Sequence, residues 1–172
     1  MQRRTRQQPP DEPALSTRQR EAVRAHLPSL FGAAMAYTGS GPEAELLVSD
    51  ALRSAAADRV DEDDPLVWLH AHLWTRFEEH RQHGGPLAAA DGTTGPTTGA
   101  TPPPSLRAAV AALSPAARAA VHLVDLEGLS YARLARVLGT SRQEAAALLH
   151  DARRQLIPAV TSTRVDRSGT AS

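Results

Sequence analysis

The sequence has no cysteine among its 172 residues. That excludes disulfides, thiol redox sensing, thiolate zinc sites and a cysteine nucleophile. Aromatic residues reach only 3%. Sandwiches and barrels draw heavily on aromatic and β-branched residues, so the composition argues against an all-β fold. No apolar run approaches the roughly 18 residues of a membrane span. The start, Met1 to Pro10, is polar and shows no secretory signal. The expected location is therefore the cytoplasm, without membrane contact. Lysine is missing too: all 19 basic residues are arginine. Arginine, alanine, glycine and proline share GC-rich codons, so this bias fits a GC-rich genome and says little about function. No glycine-rich phosphate loop, nucleophile elbow or paired-carboxylate pattern stands out, so neither enzymatic activity nor a cofactor is expected.

What is present is helical periodicity in two blocks. Residues 1–15 are polar, proline-bearing and aperiodic, and read as a disordered arm. Ser16 or Thr17 offers a helix cap, and Ala22, Val23, His26, Leu27, Leu30, Phe31, Ala34 and Met35 follow at helical spacing. Pro28 is expected to kink or split that helix. Gly39 to Pro42 breaks the chain before a second helix bearing Leu46, Leu47, Asp50, Ala51, Ser54 and Ala55. A four-acid run, Asp61 to Asp64, ends at Pro65 and starts a third helix with Leu66, Leu69, Leu73, Trp74 and Phe77. Trp68 is expected in the core. Trp74 fits either core packing or base stacking in a nucleic-acid groove, with packing favoured.

Residues 84–104, rich in glycine, threonine, proline and alanine, carry no periodicity and read as a flexible tether. Helical signals resume at Ser105. Ser114-Pro115 starts a helix that Gly128 closes, and Ser130 caps the next, with Tyr131, Leu134, Ala135 and Leu138 on one face. After the turn Gly139-Thr140, Ser141 caps a last helix with Ala145, Leu148, Leu149, Ala152 and Leu156 inward. Two helices joined by a glycine-bearing turn make a helix-turn-helix. The expected fold is all-α: a helical domain over 16–83, the tether over 84–104, a helix-turn-helix domain over 105–159 and a disordered tail over 160–172.

The net charge of zero conceals a division. Residues 16–83 hold 7 arginines against 11 acids, net −4, whereas 105–159 hold 7 against 4, net +3. A basic helix-turn-helix is a nucleic-acid footprint.

The stretch Leu113–Leu156, with Asp125, Glu127-Gly128-Leu129-Ser130-Tyr131, Leu138-Gly139, Ser141, Leu149-His150 and Ala152-Arg153-Arg154, closely resembles region 4 of the extracytoplasmic-function sigma factors. Tyr37-Thr38-Gly39, Glu43 to Asp50 and Trp68-Leu69 resemble region 2 of that family less closely. The family's clamp-contacting Gln is Ser49 here, its downstream-element helix falls on Trp74, Thr75 and Glu79, and its usual basic residues in the last helix fall on Ala146 and Leu148. The resemblance implies binding to core RNA polymerase and promoter-directed transcription, with family members commonly held off by an anti-sigma protein. It places polymerase contact on Glu43, Glu45, Asp50 and Arg53. DNA contact falls on Ser141, Arg142, Gln143, Arg153 and Arg154. Arginine can bond guanine bidentately and glutamine adenine, while the Ser141 backbone can meet a phosphate at the helix N-terminus. Two other readings stand beside it: a sigma-like adaptor that binds proteins without initiating transcription, and a plain helix-turn-helix regulator. The clamp-like front half argues against the regulator.

Seven histidines raise the question of metal. His72, Glu79, His80 and His83 share one predicted helix, and Glu79 and His83 have i, i+4 spacing, but a third well-spaced ligand is lacking. No metal site is expected.

Overall fold

The computed structural model describes residues 15–58, 63–83 and 105–168, with side chains to residue 161. The arm before Leu15, the tether over 84–104 and the last four residues lie outside the described residues. Among those described there is no strand, and the elements are α1 (Thr17–Thr38), α2 (Gly41–Ala56), α3 (Pro65–Gln82), α4 (Leu106–Ala111), α5 (Pro115–Val121), α6 (Tyr131–Leu138) and α7 (Arg142–Ser168).

The ends of these helices follow from their capping residues. At α1, Ser16 Oγ accepts the Gln19 amide while Gln19 Oε1 accepts the Ser16 amide, a reciprocal cap. Gln19 Nε2 also donates to the carbonyls of Ala55 and Asp58, each at 2.8 Å, tying the start of α1 to the end of α2. Asp64 caps α3 through the Val67 amide, and Ser105, Ser114 and Ser130 cap α4, α5 and α6 in the same way. Gly39, Gly128 and Gly139 end helical segments at φ of 71°, 73° and 67°, where a side chain would be strained.

Three expectations are corrected. Pro28 does not split α1, which runs unbroken from Thr17 to Thr38. Pro28 lies on the exposed side of the helix, where water can satisfy the carbonyl that its missing amide leaves unpaired. At the other end, α7 continues beyond residue 159, where the sequence places the start of a tail, and reaches Ser168. Its inner face still buries Ala159, and Thr161 Oγ1 donates to the carbonyls of Ile157 and Pro158. A single π turn, His122–Leu126, also replaces the last α-helical turn expected before Gly128.

α1, α2 and α3 pack on one another around Leu30, Tyr37, Leu47, Leu69, Leu73 and Phe77. Trp68 and Trp74 are both buried, and Trp74 meets Tyr37 edge to face with ring centroids 5.5 Å apart. In the rear half, α5, α6 and α7 enclose Ala120, Leu134, Ala145 and Leu149, while α4 covers a smaller cluster of Leu113, Ala117, Ala152 and Leu156. The halves meet where α3 packs against α6 and α1 packs against α5 and the π turn. One buried apolar cluster runs through both.

Candidate functional site

The helix-turn-helix is α6, the Gly139-Thr140 turn and α7. Leu134, Ala135 and Leu138 on α6 and Ala145, Leu149 and Ala152 on α7 are buried, which fixes the angle between the two helices. This packing leaves Ser141, Arg142 and Gln143 exposed together at the N-terminal tip of α7. Three of the five residues assigned to DNA therefore share one protruding turn.

The tip already holds an anion. Ser141 Oγ accepts the Glu144 amide at 3.2 Å, and the Glu144 carboxylate accepts the Ser141 amide at 2.8 Å. The Ser141 amide and then its hydroxyl hold the Glu144 carboxyl below the usual carboxylate range. The backbone donor that the sequence offers to a phosphate is thus occupied by the protein's own carboxylate. Glu144→Gln preserves the reciprocal cap but removes the charge. It is expected to tighten duplex binding at low salt by removing the repulsion between the carboxylate and the DNA phosphates, a gain that salt screens. Fluorescence anisotropy with labelled duplex across a salt series checks this.

Arg153 and Arg154 lie further along α7, away from the tip. Arg153 pairs bidentately with Asp125 on the π turn, which keeps its guanidinium against the domain. Arg154 is exposed, with Asp151 at 4.0 Å.

The four residues assigned to polymerase contact share α2. Glu45 is exposed and Glu43 half-buried. Asp50 is engaged internally: Arg53 donates to Oδ1 at 2.7 Å and His80 Nε2 of α3 meets Oδ2 at 2.8 Å. Arg53 also reaches Ser49 Oγ at 3.1 Å. The acidic face is therefore a hydrogen-bonded strip between α2 and α3 beside an open groove of about 600 Å³ lined by Asp50, Arg53, Arg76 and His80. The histidines and glutamate weighed for metal have protein partners. His72 meets Ser54 at 3.2 Å, Glu79 takes Arg76 at 2.7 Å, and His83 meets the Glu79 carbonyl at 2.7 Å. Among the described residues, no three potential ligands converge.

Asp64, Arg133 and Arg136 join the two halves, a role the sequence did not reveal. Arg133 Nε lies 2.8 Å and Arg136 Nη1 3.3 Å from Asp64 Oδ2. The acid run and the two arginines are visible in the sequence, but their partnership spans 69 residues and leaves no periodic trace.

Residues 105–156 match the family model described as "Sigma-70, region 4". This segment is similar to sigma-70 region 4. A chain in the co-crystal structure of the sigma factor RpoE in complex with the anti-sigma factor NepR from Bartonella quintana is similar across both halves. Its TM-score is 0.67 at 21% identity, covering 85% of this chain and 98% of that chain. A chain in the co-crystal structure of the anti-anti-sigma factor PhyR complexed with NepR, from the same organism, gives a TM-score of 0.55 at 20% identity. That match covers 80% of this chain and 48% of that one. A comparison with curated protein sequences found no match. At such identities the structural likeness shows the fold alone. Among the described residues, no helix is long and apolar enough to cross a membrane.

Proposed function

We propose that this chain is an extracytoplasmic-function-type sigma factor that binds core RNA polymerase and directs promoter-specific initiation. The observation that carries the proposal is the region 4 helix-turn-helix with Arg142 and Gln143 exposed at the tip of α7. In the major groove, the Arg142 guanidinium can bond both acceptors of a guanine and the Gln143 amide can bond an adenine. Arg154 is placed to meet a phosphate. The α2 strip of Glu43, Glu45, Asp50 and Arg53 would dock on a basic surface of the polymerase. The sigma factor in the similar structure is in complex with an anti-sigma factor. We extend that kind of partner to this chain. Reconstituted run-off transcription with core polymerase tests the proposal.

A second reading, the adaptor, has its own support. Glu144 occupies the tip of α7, and Arg133, Arg136 and Arg153 are engaged by acids of this chain. The fold is also similar to that of an anti-anti-sigma factor complex chain. The adaptor binds its protein partners but yields no promoter-specific transcript.

A further inference from the structure

A set of histidines sits where the two halves meet. His70 of α3 is fully buried, with Nε2 3.0 Å from Ser29 Oγ of α1, while its Nδ1 has no hydrogen-bond partner among the described residues. His122, the first residue of the π turn, lies against α1: a Cβ added at Gly32 would stand 3.4 Å from the ring's Cε1 and Nε2. Glycine at that point of α1 gives the ring its seat. The His122 side chain is 12% exposed, and its Nε2 has Glu127 Oε1 at 3.6 Å. His26 of α1 also bears on His70. From the other neighbours, α6 brings Arg133 and Arg136 on Asp64, and α5 carries the buried Arg118. The groups around His70 are therefore cations, neutral rings, or acids already engaged: Asp64 by the arginines and Glu127 by His122.

A protonated imidazole carries two N–H donors and no acceptor. In a charged His70, the Nε2–H can donate to Ser29 Oγ, but the Nδ1–H is left in the interior without an acceptor. A charged His122 gains Glu127 but stays pressed on α1, largely out of water. Burial, with His122 and His26 as like charges, accordingly lowers His70 from 6.5 to about 4. Burial also lowers His122, against the pull of Glu127. Parting the halves uncovers both rings, because the π turn closes over His70 and α1 covers His122. We propose that His70 and His122 make this joint proton-released: with both rings neutral, α1 and α3 stay seated on the π turn, and protonation parts the halves before either loses its helices. The parted form holds protons that the joined form refuses. Joining is therefore fully favoured above the ordinary histidine range and weakens as pH falls from 6.5 toward about 4. The device is independent of whether the chain initiates transcription.

The chain has no cysteine, so Ala57→Cys on the front half and Ala147→Cys on the rear half, both exposed, can carry a dye pair. Energy transfer between the dyes reports the joint, and circular dichroism reports the helices, from pH 7 to pH 5. The labelled full chain is compared with the same chain carrying His122→Gln, or His70→Gln together with His122→Gln. Glutamine stays uncharged throughout and can still meet Ser29. His70 alone should favour the parted form about twentyfold more at pH 5 than at pH 7. Transfer should therefore fall reversibly in the parent while helicity holds, and fall less with His122→Gln. It should stay level in the double variant, which keeps His26, His72, His80, His83 and His150. Constant transfer in the parent overturns the proposal, as does a fall that the double variant shares or one that comes only with loss of helicity. If the double substitution itself parts the halves at pH 7, His122→Gln decides: a weaker response than the parent's supports the device, and an unchanged response overturns it.

Discussion

Truncating Leu134 or Leu149 to alanine is expected to lower the stability of the chain by about 2–5 kcal/mol each. Both side chains are fully buried, one on each helix of the turn motif. Neither site borders solvent, so the space left by the lost atoms cannot fill with water at low cost, and the surrounding helices relax only partly. The loss should reach beyond the rear half. The cluster holding Leu134 and Leu149 is continuous with the one holding Leu30, Tyr37 and Leu73. Denaturant unfolding followed by circular dichroism should therefore show one transition moved to lower denaturant in both variants. If both variants unfold like the parent, the register of α6 and α7 is wrong.

Acid is expected to destabilise the chain through His70. This side chain is fully buried between α1 and α3, with Nε2 3.0 Å from Ser29 Oγ. Burial, aided by His122 and His26 nearby, pushes its pKa down from 6.5 to about 4. In the unfolded chain it returns to its ordinary value. Between those two pH values the unfolded chain takes up a proton that the folded chain refuses, so stability falls as pH falls through the window. Above the ordinary histidine pKa this contribution is constant. The difference corresponds to roughly 3 kcal/mol lost between pH 7 and pH 4. His72 and His122 are shifted downward as well, chiefly by burial, and act in the same direction. Unfolding free energies of the parent and His70→Gln at pH 7 and pH 4.5 test this. The parent should lose clearly more stability on acidification; equal losses would show that His70 does not carry the effect.

The signals that were legible in the sequence are local. Ser16, Asp64, Ser114, Ser130 and Ser141 announce helix starts because a cap and the amides it serves lie within three residues. Leu134, Leu138 and Leu149 announce their buried faces through spacing alone. Gly128 and Gly139 announce the turns because their positive φ excludes most other residues. What escaped depends on partners distant in the chain or on the choice between alternative bonds. Nothing near His70 in sequence shows that Ser29 and the π turn close over it. Glu144 was visible as an acid near the tip of α7, but whether it bonds Ser141 or points to solvent is decided by side-chain geometry. Asp64 announces itself only as a cap, and its second role appears only when α6 is laid against α3. Pro28 misled because proline breaks helices when its neighbours need the lost hydrogen bond, and here the exposed side of α1 leaves that bond to water.

The most direct measurement of the central claim is run-off transcription from a library of genomic fragments, using purified core RNA polymerase with the parent chain or Arg142→Ala. If α7 reads a promoter, the parent should yield specific transcripts. Arg142→Ala should weaken recognition of the preferred site by about 1–3 kcal/mol and relax the choice of sequence at the contacted base. Polymerase binding should stay unchanged in the variant, because Arg142 lies at the tip of α7 and the strip proposed to meet the polymerase lies on α2. Specific, Arg142-dependent transcripts are the result the sigma-factor account predicts. Polymerase binding with no specific transcript from any fragment, or transcripts indifferent to Arg142→Ala, would contradict it.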